Sequence, residues 1–294
     1  MSFAILQEKI DEKKNPTVMG LDPKLEYIPA HIADKAIKDF GRTKKAAGEA
    51  LFEFGKGLID ACHDLVPAVK PQMAYYEMYG TYGIKALHKT VEYAKSKNLY
   101  VILDGKRGDI GETAKAYSAA YLGETDIFGE SCEMLSADCL TVNPYLGIDG
   151  VRPFIDNCEK FGKAIFVLVK TSNASSGDFQ DIIVDGAPFY ERVARKILEW
   201  GRIENVGAVV GATYPEQLAE LRKIMPRTFF LVPGFGAQGG SAADVKPAFD
   251  ENGRGAIVNS SRAIMCAWQK RGEGANFGKW AREEVEHMRD AIYG

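Results

Sequence analysis

From residue 17 onward the chain repeats one event: a short apolar or β-branched run, a few polar or glycine residues, then an amphipathic stretch with helical spacing. Eight such runs follow one another: Thr17–Leu21, Val66–Val69, Leu99–Leu103, Cys139–Val142, Ala164–Val169, Val206–Val210, Phe229–Val232 and Ala256–Val258. Continuous apolar runs without alternation suit strands covered on both faces, as in parallel sheets. The intervening stretches place apolar residues three and four apart, the period of a helix with one buried face. Ala47, Leu51, Phe54, Leu58 and Cys62 define one such helix, and Val151, Phe154, Ile155 and Cys158 another. Tyr190, Val193, Ala194, Ile197 and Leu198 predict a third, and Ala281, Val285, Met288 and Ile292 a closing one. Further helices are predicted around Tyr79–Lys97, from near Glu112, and around Leu218 and Leu221, with a longer polar segment, Ala174–Asp185, after the fifth run.

Eight strand-then-helix units in a chain of this length predict an α/β fold, a (β/α)8 TIM barrel, because right-handed crossovers close such a series most simply. A doubly wound open sheet is the competitor, since it too buries parallel strands as apolar runs. No Pro/Gly/Ser-rich linker or shift in composition interrupts the series, so residues 1–294 read as a single barrel domain with an N-terminal helix before the first strand.

Composition narrows the function classes. A net charge of −3 supplies no field for gripping nucleic acid, and no stretch approaches the roughly 18 apolar residues of a membrane span. The N-terminus lacks a long apolar segment and a small-residue cleavage site, which leaves a cytoplasmic protein as the default. Five scattered cysteines without a CxxC pair, and four histidines without HxH or HExxH, show no zinc-type spacing. Most of the cysteines read as small core residues.

In a parallel barrel the residues just past each strand converge on one face. Asp22 and Lys24, Lys70, the group Asp104, Lys106 and Asp109, Thr171 and Ser172, Gln238, and Arg262 all occupy such positions. Asp104 and Lys106 stand two apart, so on an extended segment they point to the same side and can pair, with Lys70 reaching Asp104 from the preceding strand. Such an array keeps its lysines protonated and strains an anionic substrate group set against Asp104. Loss of that group would relieve the strain, and Lys106 could protonate what remains. The plainer reading is a solvated loop with surface ion pairs worth about 0–1 kcal/mol each.

Pro233-Gly-Phe-Gly-Ala-Gln-Gly-Gly240 follows the seventh run and Asn259-Ser-Ser-Arg262 ends the eighth. Glycines at Gly234 and Gly236 free backbone N–H groups for an anion, and Arg262 offers a bidentate fork, so the pair predicts a phosphate site at the usual place in such barrels. A flexible glycine turn is the alternative. Lys170-Thr-Ser-Asn173 suits either the polar edge of a heterocycle or a helix cap. Asp22 suits either a sugar hydroxyl or the turn before Pro23. Tyr75, Tyr76 and Tyr79 suit the core or a subunit interface better than ligand stacking.

The motif Asp104-x-Lys106-x-x-Asp109-Ile110, with Lys70 upstream and PGFGAQGG plus Arg262 downstream, resembles the orotidine 5'-phosphate decarboxylase family, and the KTSN segment with its extended loop resembles the longer form. The resemblance covers Pro16 to Arg262 at least. It implies conversion of orotidine 5'-phosphate to uridine 5'-phosphate and CO2 in de novo pyrimidine biosynthesis, without metal, pyridoxal phosphate or thiamine. It further implies a charged tetrad of Lys70, Asp104, Lys106 and Asp109, with Lys106 the proton donor to C6 of the pyrimidine. Asp22 and Lys70 would then address the ribose, Thr171 or Ser172 the pyrimidine edge, and Gly234, Gly236, Gln238 and Arg262 the phosphate. The implied assembly is a homodimer in which Asp109 and Thr113 reach into the partner's site.

Two other readings share these features. Keto-gulonate phosphate decarboxylases and hexulose phosphate synthases carry a DxKxxD element but use Mg2+ and supply further acidic ligands. Here the upstream strand end offers Lys70 instead of a carboxylate. A nucleotide-sensing barrel would have no evident use for charges that strain a substrate.

Overall fold

The computed structural model describes residues 2–234, 241–272 and 274–293. The eight barrel strands are β1 (Thr17–Leu21), β2 (Ala68–Pro71), β3 (Tyr100–Arg107), β4 (Cys139–Val142), β5 (Ala164–Lys170), β6 (Val206–Val210), β7 (Phe230–Pro233) and β8 (Ala256–Ser260). They form one closed barrel in sequential order, β1 to β8 and back to β1, with helices between them. The fold is a (β/α)8 TIM barrel, as the sequence predicts, and the open sheet is excluded by closure.

By internal packing the chain falls into two units, one of Lys9–Gly105 with Ser260–Gly294 and the other of Met1–Glu8 with Lys106–Asn259. In the first, β1, β2 and the start of β3 run parallel and in step, Val18 beside Ala68 and Ala68 beside Tyr100. Helix Lys44–Cys62 packs on helices Ala30–Phe40, Gly80–Ser96 and Phe277–Tyr293. A side chain at Gly48 would stand 2.6 Å from the Tyr82 carbonyl oxygen, so glycine sets how closely the Lys44–Cys62 and Gly80–Ser96 helices cross. The sequence predicts one helix between β1 and β2, and the structure has two. Gly41 leaves the first with a left-handed φ of 68°, and the Thr43 hydroxyl caps the second by accepting the Ala46 N–H.

In the second unit β4 to β8 run parallel, from Cys139 beside Ala164 to Pro233 beside Asn259. Phe3, on the N-terminal helix, stacks on Phe229 at a ring separation of 5.1 Å and meets Phe166, tilted, at 4.9 Å. Gln7 accepts the Gly255 N–H, so this helix seals the entry ends of β5 to β8. Helices Gly111–Leu122, Ile148–Phe161, Phe189–Trp200 and Pro215–Ile224 cover the strands. On Phe189–Trp200 the buried face is Tyr190, Ala194 and Ile197, but Leu198 is exposed, because it lies past the edge of that stripe. A two-stranded hairpin, Glu124–Ile127 with Glu130–Glu133, is an addition no hydrophobic alternation announces. Cys62, Cys139, Cys158 and Cys266 are buried, in keeping with their reading as core residues. No described helix is long and apolar enough to cross a membrane.

Candidate active site

Lys70 occupies the third position of β2 and Asp104 the fifth of β3, both near the C-terminal ends of their strands. The chain past β2 is fixed by backbone bonds from Gln72 N–H to Leu21 and from Met73 N–H to Asp104. The Lys70 ammonium donates to Asp104 Oδ2 at 2.7 Å, and the two residues are only 4% and 8% exposed. This pair is therefore not the solvated surface contact of the plainer reading. Burial disfavours the Lys70 ammonium, but the Asp104 and Asp22 carboxylates outweigh it and raise its pKa above the ordinary 10.5.

Asp22 follows β1 directly. Its N–H donates to the Met265 sulfur at 3.3 Å, which ties it to the short helix Arg262–Met265. Its Oδ1 is buried without a hydrogen-bond partner among the described residues. A buried carboxylate oxygen in that condition is costly, and a ligand hydroxyl would satisfy it. Arg262 is exposed at the first turn of its helix.

Lys106 belongs to the second unit and is exposed. Its φ is +48°, a left-handed conformation that costs a non-glycine residue about 1–3 kcal/mol and persists only where neighbours impose it. The hydroxyl of Thr141, a buried residue of β4, accepts the Lys106 N–H at 2.9 Å, and the Asn143 N–H donates to the Arg107 carbonyl at 2.8 Å. These two bonds tie the turn to β4 and the residue after it. Extended-strand alternation accordingly does not govern where the Lys106 side chain points.

Asp109 is half-buried, its Oδ1 accepting the Ile110 N–H at 2.8 Å. Gly150 makes room for it, since a Cβ there would lie 3.0 Å from the Asp109 carbonyl oxygen. Thr113 lies exposed in the first turn of helix Gly111–Leu122. Thr171 and Ser172 follow β5 and are half-buried. The Thr171 hydroxyl donates to Asn173 Oδ1 at 2.6 Å and accepts from Gln180 Nε2 at 2.8 Å, so its proton is already given away within the loop. Gly234 is buried with a φ of +110°, a conformation that favours glycine. Gly236 and Gln238 lie outside the described residues. Of the three tyrosines, Tyr76 is fully buried in the core, whereas Tyr75 and Tyr79 are half-buried, Tyr79 accepting the Leu25 N–H.

The orotidine 5'-phosphate decarboxylase / HUMPS family matches residues 51–277 of this sequence. The chain belongs to that family. The matched span contains Lys70, Asp104, Lys106, Asp109, Thr113, Thr171, Ser172 and Arg262 and leaves Asp22 before it. Within the family, the orotidine 5'-phosphate decarboxylase of Caldicellulosiruptor bescii is 47% identical over 90% of this chain and 89% of its own. That of Rhodopirellula baltica is 46% identical over 92% and 90%. Among solved structures, the Leishmania donovani OMP decarboxylase superposes with a TM-score of 0.76 at 32% identity, covering 99% of both chains. The Leishmania donovani UMP synthase gives a TM-score of 0.77 at 34% identity; 98% of this chain covers 56% of that longer one.

Sequence reasoning passed over Thr141, Gly150 and Gln180. Each acts on the backbone or hydroxyl of a residue distant in the chain, and no motif records that.

Proposed function

We propose that this chain is an orotidine 5'-phosphate decarboxylase that forms uridine 5'-phosphate and CO2 in de novo pyrimidine biosynthesis, in the cytoplasm. The observation that carries the reading is the buried Lys70–Asp104 pair at 2.7 Å. Relatives of that name at 46–47% identity over about nine-tenths of the chain support it.

In this reading Asp104 faces the substrate carboxylate and raises the energy of the ground state. The bond from C6 to the carboxylate breaks, its electron pair stays on C6, and CO2 departs. The Lys106 ammonium then gives its proton to C6. Asp22, with its unpartnered Oδ1, and Lys70 address the ribose hydroxyls. Arg262, Gly234, Gly236 and Gln238 hold the phosphate, whose binding energy is spent at the reacting carbon. Because the Thr171 hydroxyl is committed to Asn173 and Gln180, we assign the pyrimidine edge to Ser172. No step calls on a metal or an organic cofactor.

The test against the Mg2+-dependent branch is turnover in excess EDTA, followed by the loss of orotidine absorbance. Undiminished turnover is expected; abolition by EDTA with rescue by Mg2+ would favour a keto-sugar-phosphate enzyme.

We also propose a homodimer in which Asp109 and Thr113 serve the neighbouring subunit. Ile110, Tyr145 and Leu146 are exposed at 55%, 81% and 48%, and a Cβ on Gly150 would meet both the Asp109 carbonyl oxygen, at 3.0 Å, and Leu146 Cβ, at 3.2 Å, so exposed apolar surface adjoins the Asp109 segment. An Asp109→Ala variant should be inactive, and mixing it with inactive Lys106→Ala should restore activity, since each hybrid dimer has one intact site. No recovery despite proven subunit exchange would refute the shared site.

A further inference from the structure

Lys170, the last residue of β5, is 1% exposed and has no part in the chemistry above. Its ammonium donates to Asp181 Oδ1 at 2.7 Å and to the Ser176 hydroxyl at 3.1 Å, and lies over the rings of Tyr214 and Tyr190 at 5.2 and 5.7 Å. The next residue grips the same stretch. The Thr171 N–H donates to Gln180 Oε1 at 2.9 Å while Gln180 Nε2 donates to the Thr171 hydroxyl, closing a ring of two hydrogen bonds. Residues 174–181 therefore form a strap tied back onto the end of β5 by Ser176, Gln180 and Asp181.

Apolar packing does not hold this strap. Ser176 is the one buried residue between 173 and 183, and Phe179, Ile182 and Ile183 are 69%, 50% and 64% exposed. A buried ammonium is expensive, and it stays only where its partners offset that cost. Those partners tie the strap to the residues just before it, Lys170 and Thr171, and so to the segment that continues into Ser172. Ser172 is held from the far side as well: its carbonyl accepts the Thr213 hydroxyl at 3.4 Å, and a Cβ on Gly211 would come within 2.9 Å of its own.

We propose that Lys170 and Gln180 are positioning residues that fix the Thr171–Ser172 segment so that it reads the pyrimidine. This rests on the assignment of that segment to the base. The two side chains act through it without touching substrate.

The experiment measures the dissociation constants of uridine 5'-phosphate and of ribose 5-phosphate, by calorimetry, for the unaltered chain, Lys170→Met and Gln180→Leu. The base contributes only to the first ligand. Each variant should weaken uridine 5'-phosphate by about tenfold, the effect of a lost charge-assisted or paired hydrogen bond, and ribose 5-phosphate by less than about twofold. Equal weakening of both ligands, or no change in either, would overturn the proposal. So would an unaltered chain that binds the two equally. If Lys170→Met does not fold, Gln180→Leu, on the exposed strap, carries the same comparison. Turnover by the unaltered chain is scored separately, so an error in the activity is not confused with an error in the positioning.

Discussion

Replacing Lys106 by alanine is expected to lower turnover of orotidine 5'-phosphate by at least about a thousandfold while leaving uridine 5'-phosphate binding within about tenfold. The asymmetry follows from what the residue is asked to do. A proton donor matters once C6 carries the electron pair left by CO2, and contributes little to holding the product nucleotide. The backbone at Lys106 supports a specific task for it: a left-handed φ of +48° is retained there by the buried Thr141 hydroxyl and by the Asn143 amide bonded to the next residue. Strain of that kind is kept where geometry matters. Single-turnover kinetics on the variant, alongside calorimetry with uridine 5'-phosphate, measure the two quantities. Normal turnover would remove Lys106 from the mechanism.

The second large effect is on stability. Lys70→Met takes away the cation 2.7 Å from a carboxylate that is 8% exposed, and should destabilise the fold by about 3–5 kcal/mol in urea at pH 7, with activity lost. Replacing both members, as Lys70→Met with Asp104→Leu, should recover most of the stability and none of the activity, because well-packed apolar residues suit a buried site at least as well as an ion pair. That outcome would identify the pair as kept for chemistry. Equal instability of the single and double variants would contradict it.

The pH dependence has a definite sign. The folded pKa of Lys70 is raised above 10.5, so its contribution is fully present below that ordinary value and is lost only as the pH rises through the folded one. The unfolding midpoint of the parent, so far as Lys70 sets it, should be flat from pH 6 to 9 and fall only in strong alkali.

The strands were legible because a parallel barrel buries them on both faces, and an apolar run needs no partner sequence to be seen. Their exits were less so. The third run ends in apolar residues at Leu103, yet β3 continues through Asp104 to Arg107, because the buried Lys70 and the hydrogen bond from Lys106 to Thr141 accommodate charged residues within the strand. The hairpin Glu124–Glu133 escaped notice because its residues are mostly polar and exposed, turning at Phe128 and Gly129 with positive φ. Helix Ala30–Phe40 does carry a stripe of Ile32, Ala33, Ala36, Ile37 and Phe40, which a reading of one helix per strand passes over; apart from Ala36 these residues are only half-buried.

The site was legible as far as strand ends carry it. Lys70, Asp104, Lys106, Asp109, Thr171, Ser172 and Arg262 each lie in or beside a barrel strand or the turn after it, where the sequence reading looked for them. The supporting residues were not legible. Thr141 serves Lys106 from 35 positions away, and Gln180 serves Thr171 from within a segment that reads only as polar. Their roles exist only once the chain has folded.

The most direct test of the central claim uses orotidine 5'-phosphate labelled at its carboxylate, incubated with the purified chain in excess EDTA. Labelled CO2 and uridine 5'-phosphate are expected in equal amounts, with both abolished together in Lys106→Ala. Retention of the label in the nucleotide, or release of CO2 only after Mg2+ is added, would contradict that claim.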